Sequence, residues 1–548
     1  MKPKTFACCW FTLLLVLASC AAAQQFDASF ATRRRAIASG QLREYLAAME
    51  SLGAEAEKNQ RWAQAAGAFY EGVAAAQELG QLQKVIAHGT KVVELGRKLN
   101  DPLIQANSIR MMAIAYGRLR QFDRQKESLL KALELSKQVA NAYTKQELQA
   151  RIHASLGGYY LQQGELQNAI EYFSYSVQYL DSLLSYYKTN RGLGMVSRQT
   201  IQNTEAVLIG SLNGLGNAYQ RAGKSPEAIP VYERALSIIK DSRLDADQEA
   251  SISYGLGRAY RAQNDSARAL EYFRVALQLA ESRRQSGTIE GVSVSIANLL
   301  VQTRQQAEAI PYYKKAIDAI ESTRSQLGSE EFRTSFFSGK GATYTGMIRA
   351  QLASKNPGEA FDHNERARSR AFLDTLGSKI RLSKQAGLAE EEQKFLARIS
   401  AIRFQAGDQD GEGEEGSRPA QRAKQLAAAE KAYADFLAQV RKENKEQASL
   451  MNVEPLTLKD VQDRLDTGVT LLEYFITTNS VIVWIVDKSA VNSVTVRLDR
   501  KELQAKVTSF RESITELTEQ AKLNPLSQEL FKTLIQPAQQ YIKGTELL

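Results

Sequence analysis

Cysteine is nearly absent from this chain. The 548 residues contain 3 cysteines, and Cys8, Cys9 and Cys20 all lie at the N-terminal end. The sequence after Cys20 therefore offers no disulfide framework, no thiolate metal site and no cysteine nucleophile. Histidine is equally scarce, with 3 residues, and none follows His363. A serine triad, which needs a histidine beside the nucleophile, is therefore excluded for the sequence after His363.

An excess of one charge sign is also missing. The formal net charge is +9, with 24% charged and 44% hydrophobic residues, and these fractions are typical of soluble globular proteins. Basic and acidic residues interleave, and no Lys/Arg run carries interleaved aromatic residues, so nothing indicates nucleic-acid binding. The length predicts two or more domains.

Long apolar runs are confined to the N-terminus, and no later segment approaches the length of a membrane span. Residues 6–17 form an apolar run that follows Lys2 and Lys4. This pattern predicts an export signal over residues 1–20, because the run is too short for a stable transmembrane helix.

This signal can be processed in two ways. Leu17-Ala18-Ser19-Cys20 resembles a bacterial lipobox, in which Cys20 is acylated and anchors the protein to a membrane. Ala21-Ala22-Ala23 resembles an ordinary signal-peptidase site. The first predicts a lipoprotein in the periplasm or at the outer membrane, and the second a secreted protein.

A helical pattern that repeats about every forty residues fills residues 29–353. Its best-formed unit is LGNAYQRAGKSPEAIPVYERAL, which begins at Leu215, and LGRAYRAQNDSARALEYFRVAL follows from Leu256. Residues 181–204 interrupt the spacing and predict a longer helix and loop. Turn-like positions recur at Gly40, Gly80, Arg120, Gly164, Gly223, Asn264 and Arg304.

These units combine small and aromatic residues, which allows two helices to pack closely. Gly157, Gly216 and Gly257 lie on the first helix of a pair, and aromatic residues such as Tyr232 and Phe273 are predicted to fill the gaps beside them. The pattern resembles the tetratricopeptide repeat (TPR), which predicts a mainly α fold with a TPR-type α-solenoid. The units around Gly40 and Gly80 fit it poorly.

TPR solenoids typically bind a protein or peptide partner in a groove lined by the first helices, which the resemblance predicts here. Asn side chains can pair with a partner's backbone and Arg side chains with its carboxylates. The candidates for this groove are Asn213, Asn217, Arg221, Arg258, Arg261 and Asn298. His88 and His153 have no partner at a metal-ligand spacing and are predicted to be structural, so neither a metal nor a cofactor is expected.

The stretch NERARSRAFLDTL, residues 364–376, lies between the helical repeats and a region with a charged helical pattern followed by strand-like runs. Together with the residues before it, as GEAFDHNERARSRAFLDTLGS, it resembles the end of the TPR array in bacterial CHAT proteins, a caspase-like family. Residues 354–380 are therefore predicted to form a divergent last repeat. Its Arg366, Arg368 and Arg370 are expected to contact acidic partners in the segments that follow.

Residues 383–450 are predicted to form a helical hairpin. Two amphipathic patterns, over residues 388–404 and 420–440, flank GDQDGEGEEGSRP, a tip rich in glycine and acidic residues. A Ca²⁺ loop is not predicted there, because Pro419 occupies the closing position that a carboxylate would need.

Residues 456–548 predict the first part of an α/β domain. A helix capped by Thr457 precedes strand-like runs over residues 469–476, 481–486 and 494–498, and helical patterns over 500–517 and 526–542 follow. LTLKDVQDRLDTGVTLLEYFITTNSVIVWIVDK resembles the opening of a CHAT domain, in which Glu473 and Trp484 are expected to be structural. The resemblance implies that the catalytic histidine and cysteine would follow residue 548. A sheet of only the three predicted strands would leave an apolar edge strand exposed.

These observations favour an exported TPR scaffold that binds a protein or peptide partner and is coupled to a CHAT-type domain. The alternative is the regulatory, N-terminal portion of a caspase-like cysteine peptidase whose catalytic part lies outside this sequence. A purely structural envelope lipoprotein is a third hypothesis. No catalytic residue is predicted in the chain as it stands, because it has no cysteine after Cys20 and no histidine after His363.

Overall fold

The computed structural model describes residues 41–191, 196–242, 248–325, 340–377, 456–515 and 520–548, with scattered residues at 32–36, 244 and 391–439. The described chain divides into two compact units, the first reaching Leu279 and the second beginning at Ala280. The export signal with Cys20, the turn at Gly40 and the acidic tip of the hairpin lie outside the described residues.

The first unit consists of helices that pack against their neighbours in chain order, and it confirms the prediction of a TPR-type α-solenoid. Short turns join them, so that consecutive helices are antiparallel. The helices are α1 (Leu42–Lys58), α2 (Trp62–Glu78), α3 (Leu82–Lys98), α4 (Pro102–Arg118), α5 (Phe122–Ser136), α6 (Ala142–Gln163), α7 (Leu166–Arg191), α8 (Arg198–Arg221), α9 (Ser225–Ser242), α10 (Glu249–Ala262) and α11 (Ser266–Ser282).

The turn within each helix pair contains one residue in the left-handed conformation, at the positions predicted from the repeat. In Gly164 and Gly223 the φ angles are 79° and 74°, and in Asn264 φ is 63°. The next residue then closes a hydrogen bond to the carbonyl five positions back, as from Lys224 N to Tyr219 O at 2.9 Å. This is the Schellman end of a helix, which satisfies carbonyls that the helix leaves unpaired.

Close packing between the helices depends on glycine, as the sequence predicts. Tyr232 of α9 is 1% exposed, with its ring inserted between α8 and α10. A Cβ atom at Gly216 would lie 2.6 Å from that ring, and one at Gly255 would lie 2.5 Å from it. A larger residue at either position would therefore separate the helices.

The interruption of the repeat over residues 181–204 lengthens two helices, whereas the sequence predicts one longer helix and its loop. Helix α7 has 26 residues and α8 has 24, whereas α9 and α11 have 18 and 17. The extra turns form additional packing surface, because Leu183 and Leu184 of α7 and Ile201 of α8 are buried.

The second unit begins with two further helix pairs. They are α12 (Ser286–Gln302), α13 (Gln306–Ser325), α14 (Gly341–Ala353) and α15 (Pro357–Gly377). Arg304 and Lys355, each with φ of 62°, occupy the turn positions within the pairs. The pair α14–α15 thus keeps the geometry of the repeat although its sequence has diverged.

A small sheet follows in the same unit. It comprises β1 (Val469–Ile476), β2 (Ser480–Val486), β3 (Val491–Arg497) and β4 (Glu546–Leu547), in the order β3-β2-β1-β4, with α16 (Leu458–Arg464) before it. Strands β1, β2 and β3 are antiparallel, with Glu473 opposite Trp484, and β4 pairs parallel to β1. Thr457 caps α16 through a reciprocal capping box with Asp460, which confirms the predicted cap.

Two predictions about this sheet are wrong. The third strand begins at Val491 rather than at residue 494, because the Asp487 side chain accepts hydrogen bonds from the amides of Ser489 and Ala490 and closes the turn early. The sheet also has four strands rather than three. Gly544 allows β4 to approach β1, since a Cβ there would lie 2.0 Å from the Gly468 carbonyl oxygen.

Helices cover both faces of the sheet. On one face, Trp484 packs with Phe361 of α15 and Ile348 of α14, so the last helix pair and the sheet share a core. On the other face, Val481 and Val483 pack against α17 (Arg500–Thr515), α18 (Gln520–Leu534) and the 3₁₀ helix Gln536–Tyr541. Coverage on both faces explains why every residue of β2 is buried.

The last predicted helix, over residues 526–542, is divided differently in the structure. Helix α18 begins earlier, at Gln520, and ends at Leu534 before the 3₁₀ helix. Pro537 provides the reason for the break, because proline has no amide hydrogen to continue the α-helical hydrogen bonds.

Only scattered residues of the predicted helical hairpin are described. Among them, the ring of Phe395 lies 5.0 Å from that of Phe436 and 6.3 Å from that of Tyr433, measured between centroids. The two predicted arms are therefore in contact at these residues.

Candidate partner-binding surface

The first helices of successive pairs form a continuous layer in the first unit. Along the series α2, α4, α6, α8 and α10, neighbouring helices contact each other. The first four also pack on their own pair partners, and Tyr254 of α10 contacts Phe273 of its partner α11. Stacking of repeats brings equivalent positions of these helices side by side. We call the outward-facing side chains of this layer the first-helix surface.

The structure places the predicted residues of α8 and α10 on adjacent helices of this surface. Asn213 and Asn217 are partly buried, and the Asn213 amide nitrogen lies 3.4 Å from the hydroxyl of Ser251 on α10. The guanidinium of Arg258 lies 5.7 Å from the centre of the Tyr254 ring, a distance that permits a cation–π interaction. Arg261 is partly buried on the same helix.

Arg221 and Asn298 are both tied to their surroundings. Arg221 is exposed and donates a hydrogen bond from Nη1 to the carbonyl oxygen of Leu161 on α6, at 2.6 Å. Asn298 belongs to the second unit, where its exposed side chain accepts a hydrogen bond from the Tyr313 hydroxyl at 2.6 Å. Their roles in binding a partner stay predictions.

A second group of polar residues, which sequence reasoning missed, spans α2, α4 and α6. Asn107 of α4 donates to the Tyr70 hydroxyl of α2 at 2.5 Å. The side-chain oxygen Oδ1 of Asn107 accepts hydrogen bonds from Nε and Nη2 of Arg110, at 3.1 and 3.0 Å. Arg151 of α6 pairs with Glu147 at 2.8 Å. We call Tyr70, Asn107, Arg110, Glu147 and Arg151 the α2–α6 cluster.

The sequence carried a signal for part of this cluster. Arg110 lies ten positions before the turn residue Arg120, as Asn213 lies ten positions before Gly223 and Tyr70 ten before Gly80. Alignment on the turn residues would therefore have marked Tyr70 and Arg110 as equivalents of Asn213. The weak match of the unit around Gly80 to the pattern concealed the correspondence for Tyr70.

Burial governs the ionisation of this cluster. It lowers the pKa of Arg110 to about 10, and repulsion from the Arg151 guanidinium acts in the same direction. Burial also raises the pKa of the Tyr70 phenol, although Arg110 and Arg151 oppose this effect. The α2–α6 cluster is thus a positively charged site in a partly desolvated setting.

The histidines of the first unit have structural surroundings. Burial lowers the pKa of His153 to about 4, and its ring stacks on Tyr172 and Tyr179 at 5.7 and 5.6 Å. Nε2 of His88 lies 2.9 Å from a carboxylate oxygen of Glu50. His153 is therefore neutral near pH 7 and packs as an aromatic residue.

A buried polar contact joins α15 to the sheet in the second unit. Asn364, which is 0% exposed, donates to the Glu473 carboxylate, and Arg368 pairs with the same carboxylate at 2.8 Å. This confirms the predicted acidic contact for Arg368, whereas Arg366 is exposed and the side chain of Arg370 lies outside the described residues. Burial raises the pKa of Glu473 to about 7, and a hydrogen bond with Glu365 and repulsion from it add to this effect.

Comparison with known families identifies the repeats. Residues 208–282 match one tetratricopeptide-repeat model and residues 292–323 match another. These matches cover most of α8, α12 and α13 and all of α9 to α11, and they include the predicted residues of both units. The chain therefore contains tetratricopeptide repeats, and repeats of this class suggest a protein-binding scaffold.

Several solved structures are similar in fold. The apo form of RapI is 14% identical, with 54% of this chain and 98% of that chain covered at a TM-score of 0.37. Aspartyl phosphate phosphatase F from Bacillus subtilis is 14% identical, with 60% of this chain and 76% of that chain covered at a TM-score of 0.38. A Rap protein complexed with competence and sporulation factor is 11% identical, with 76% of this chain and 98% of that chain covered at a TM-score of 0.37. Likenesses this loose carry no functional argument.

No curated protein matches the sequence significantly. Within the described ranges, no helix is both long and apolar enough to cross a membrane. The same ranges contain no group of three or more His, Cys, Asp or Glu side chains placed to hold a metal ion.

Proposed function

We propose that this chain is an exported scaffold that binds an extended segment of a protein or peptide partner on the first-helix surface. The observation that carries the proposal is the tetratricopeptide-repeat match over residues 208–282, the stretch in which Asn213, Asn217 and Arg258 occupy adjacent first helices. Asn amides can pair with the partner's backbone, and guanidinium groups with its carboxylates.

The sheet of the second unit supports a coupled α/β domain of the CHAT type. Strand β4 follows two helices and pairs parallel to β1, which is the connection of an α/β fold rather than of an antiparallel meander. The contact between Glu473 and α15 ties this sheet to the last repeat.

Export is the third part of the proposal. It rests on Lys2 and Lys4 before the apolar residues 6–17, and on Cys20 at the end of the lipobox-like sequence. A lipid anchor would place the scaffold at the periplasmic face of a membrane, whereas cleavage after Ala23 would release it.

The alternative is a regulatory portion of a caspase-like cysteine peptidase. The parallel β4 favours this class of domain, but the nucleophile and its base would have to come from outside these 548 residues, since no cysteine follows Cys20 and no histidine follows His363. We expect the purified chain not to cleave casein. Cleavage that a thiol reagent abolishes would contradict that expectation.

Selection of binders from a random peptide library tests the scaffold function. Peptides selected on the full chain are expected to bind with micromolar affinity, and N217A and R258A are each expected to weaken them about tenfold. R274A is the matched control, because Arg274 is exposed on α11, a second helix. Failure to select any peptide, or equal weakening by R274A and R258A, would refute binding on the first-helix surface.

A further inference from the structure

The α2–α6 cluster contains a guanidinium that lacks a carboxylate. Arg110 uses Nε and Nη2 to donate to a neutral acceptor, the carbonyl oxygen of Asn107. Its Nη1 has no hydrogen-bond partner among the described residues. Among neighbouring groups, the largest effect on the ionisation of Arg110 comes from another cation, Arg151, and the Tyr70 phenol opposes it.

The other charges of the cluster do not neutralise Arg110. Glu147 is held by both Nε and Nη2 of Arg151, at 3.2 and 2.8 Å, so its charge is matched within α6. Arg110, Arg151 and Glu147 together leave a net charge of +1. Tyr70 is a neutral phenol near pH 7, and burial raises its pKa further.

A partly buried cation without a counter-charge is unfavourable for the folded protein. Desolvation and repulsion by a like charge both act against it, and proteins usually pair such groups. An anion that pairs with Arg110 would offset this cost. The planar fork of Arg110, with Nη1 unoccupied, suits a carboxylate that can accept two parallel hydrogen bonds.

The geometry points to the α2–α6 cluster as the subsite of the first-helix surface that receives an acidic side chain, Asp or Glu, of the bound partner segment. This inference rests on the proposed scaffold function and adds the chemical class of the partner. Nη1 of Arg110 donates to the carboxylate, Arg151 adds long-range attraction, and Asn107 and Tyr70 hold the fork in place. Charge complementarity selects an acidic segment over a basic or neutral one.

Fluorescence anisotropy with a labelled oligoglutamate peptide, amidated at its C-terminus, tests the subsite on the full chain. The amide removes the terminal carboxylate, so that binding reports side chains alone. The wild type is expected to bind this peptide at low salt and not an oligoserine peptide of equal length. R110Q is expected to bind it about tenfold more weakly, because one charged hydrogen-bond donor is lost.

R124Q is the matched control, because Arg124 is exposed on α5 and the same charge is removed. It is expected to bind oligoglutamate like the wild type. Equal weakening in R124Q and R110Q would show attraction to net charge alone, and unchanged binding in R110Q would exclude the subsite. Both outcomes overturn the inference. So does absence of oligoglutamate binding by the wild type, while library peptides sensitive to R258A would still support the scaffold function.

Thermal unfolding separates a binding role from a structural one. Since Arg110 has no carboxylate hydrogen-bonded to it among the described residues, R110Q is expected to leave the unfolding temperature unchanged or to raise it relative to R124Q. Oligoglutamate is expected to stabilise the wild type and R124Q by mass action, and R110Q much less. A lowered unfolding temperature of free R110Q would show that Arg110 supports the fold, and would overturn the inference.

Discussion

The junction between α15 and β1 makes the stability of the second unit depend on pH. Glu473 is 8% exposed, and burial raises its pKa from 4.5 to about 7, with Glu365 acting in the same direction and Arg368 opposing both. The folded protein therefore holds the Glu473 proton more tightly than the unfolded chain. This stability is fully present below about pH 4.5 and is lost as the pH rises through about 7.

The size of the effect follows from the two pKa values. At 1.36 kcal/mol for each pKa unit, a rise from 4.5 to about 7 corresponds to about 3 kcal/mol at most. Arg368 is half exposed, so water screens its attraction for the ionised carboxylate. We therefore expect the free energy of unfolding of the second unit to fall by about 1–3 kcal/mol between pH 5 and pH 8 from this group.

The substitution E473Q isolates this contribution, because glutamine keeps the shape and mimics the protonated acid. E473Q is expected to be more stable than the wild type at pH 8, by about 1–3 kcal/mol, and equal to it near pH 5. Urea unfolding followed by Trp484 fluorescence measures this locally, since Trp484 lies opposite Glu473, provided that Trp10 and Trp62 are replaced by Phe.

E512Q is the matched control, because Glu512 is exposed on α17 and is expected to show no such difference. The reasoning would be refuted if E473Q destabilised the second unit at pH 8. That result would mean that the ionised pair with Arg368 outweighs desolvation.

Three further predictions follow from the packing and the N-terminus. Y232A is expected to lower the free energy of unfolding by about 3–5 kcal/mol in calorimetry, because it empties the space between Gly216 and Gly255, whereas Y232F keeps the ring and should cost far less. T457A removes the capping box of α16 and is expected to cost about 1 kcal/mol by urea unfolding, and a neutral effect would show that the cap is replaced by water. A palmitate analogue is expected to label the wild type in cells but not C20A, and retained labelling would exclude the lipobox.

Local features were predictable because they depend on residues close in sequence. The turns at Gly164, Gly223 and Asn264 follow from one left-handed position in each repeat, and the cap of α16 from Thr457. The start of β3 was missed because Asn492 and Ser493 are not β-branched, although they belong to the strand.

The sequence alone determined that this protein is a helical repeat with glycine-dependent packing, followed by a small β-containing segment. Periodicity records which residues must be buried, and this is a property of each helix or strand by itself. Only the tertiary structure decided which polar groups meet. Arg110 and Arg151 are brought close by the stacking of α4 on α6, and Asn364 reaches Glu473 because α15 packs on the sheet. The stacking angles that create both sites arise from many weak contacts, which no single stretch of sequence encodes.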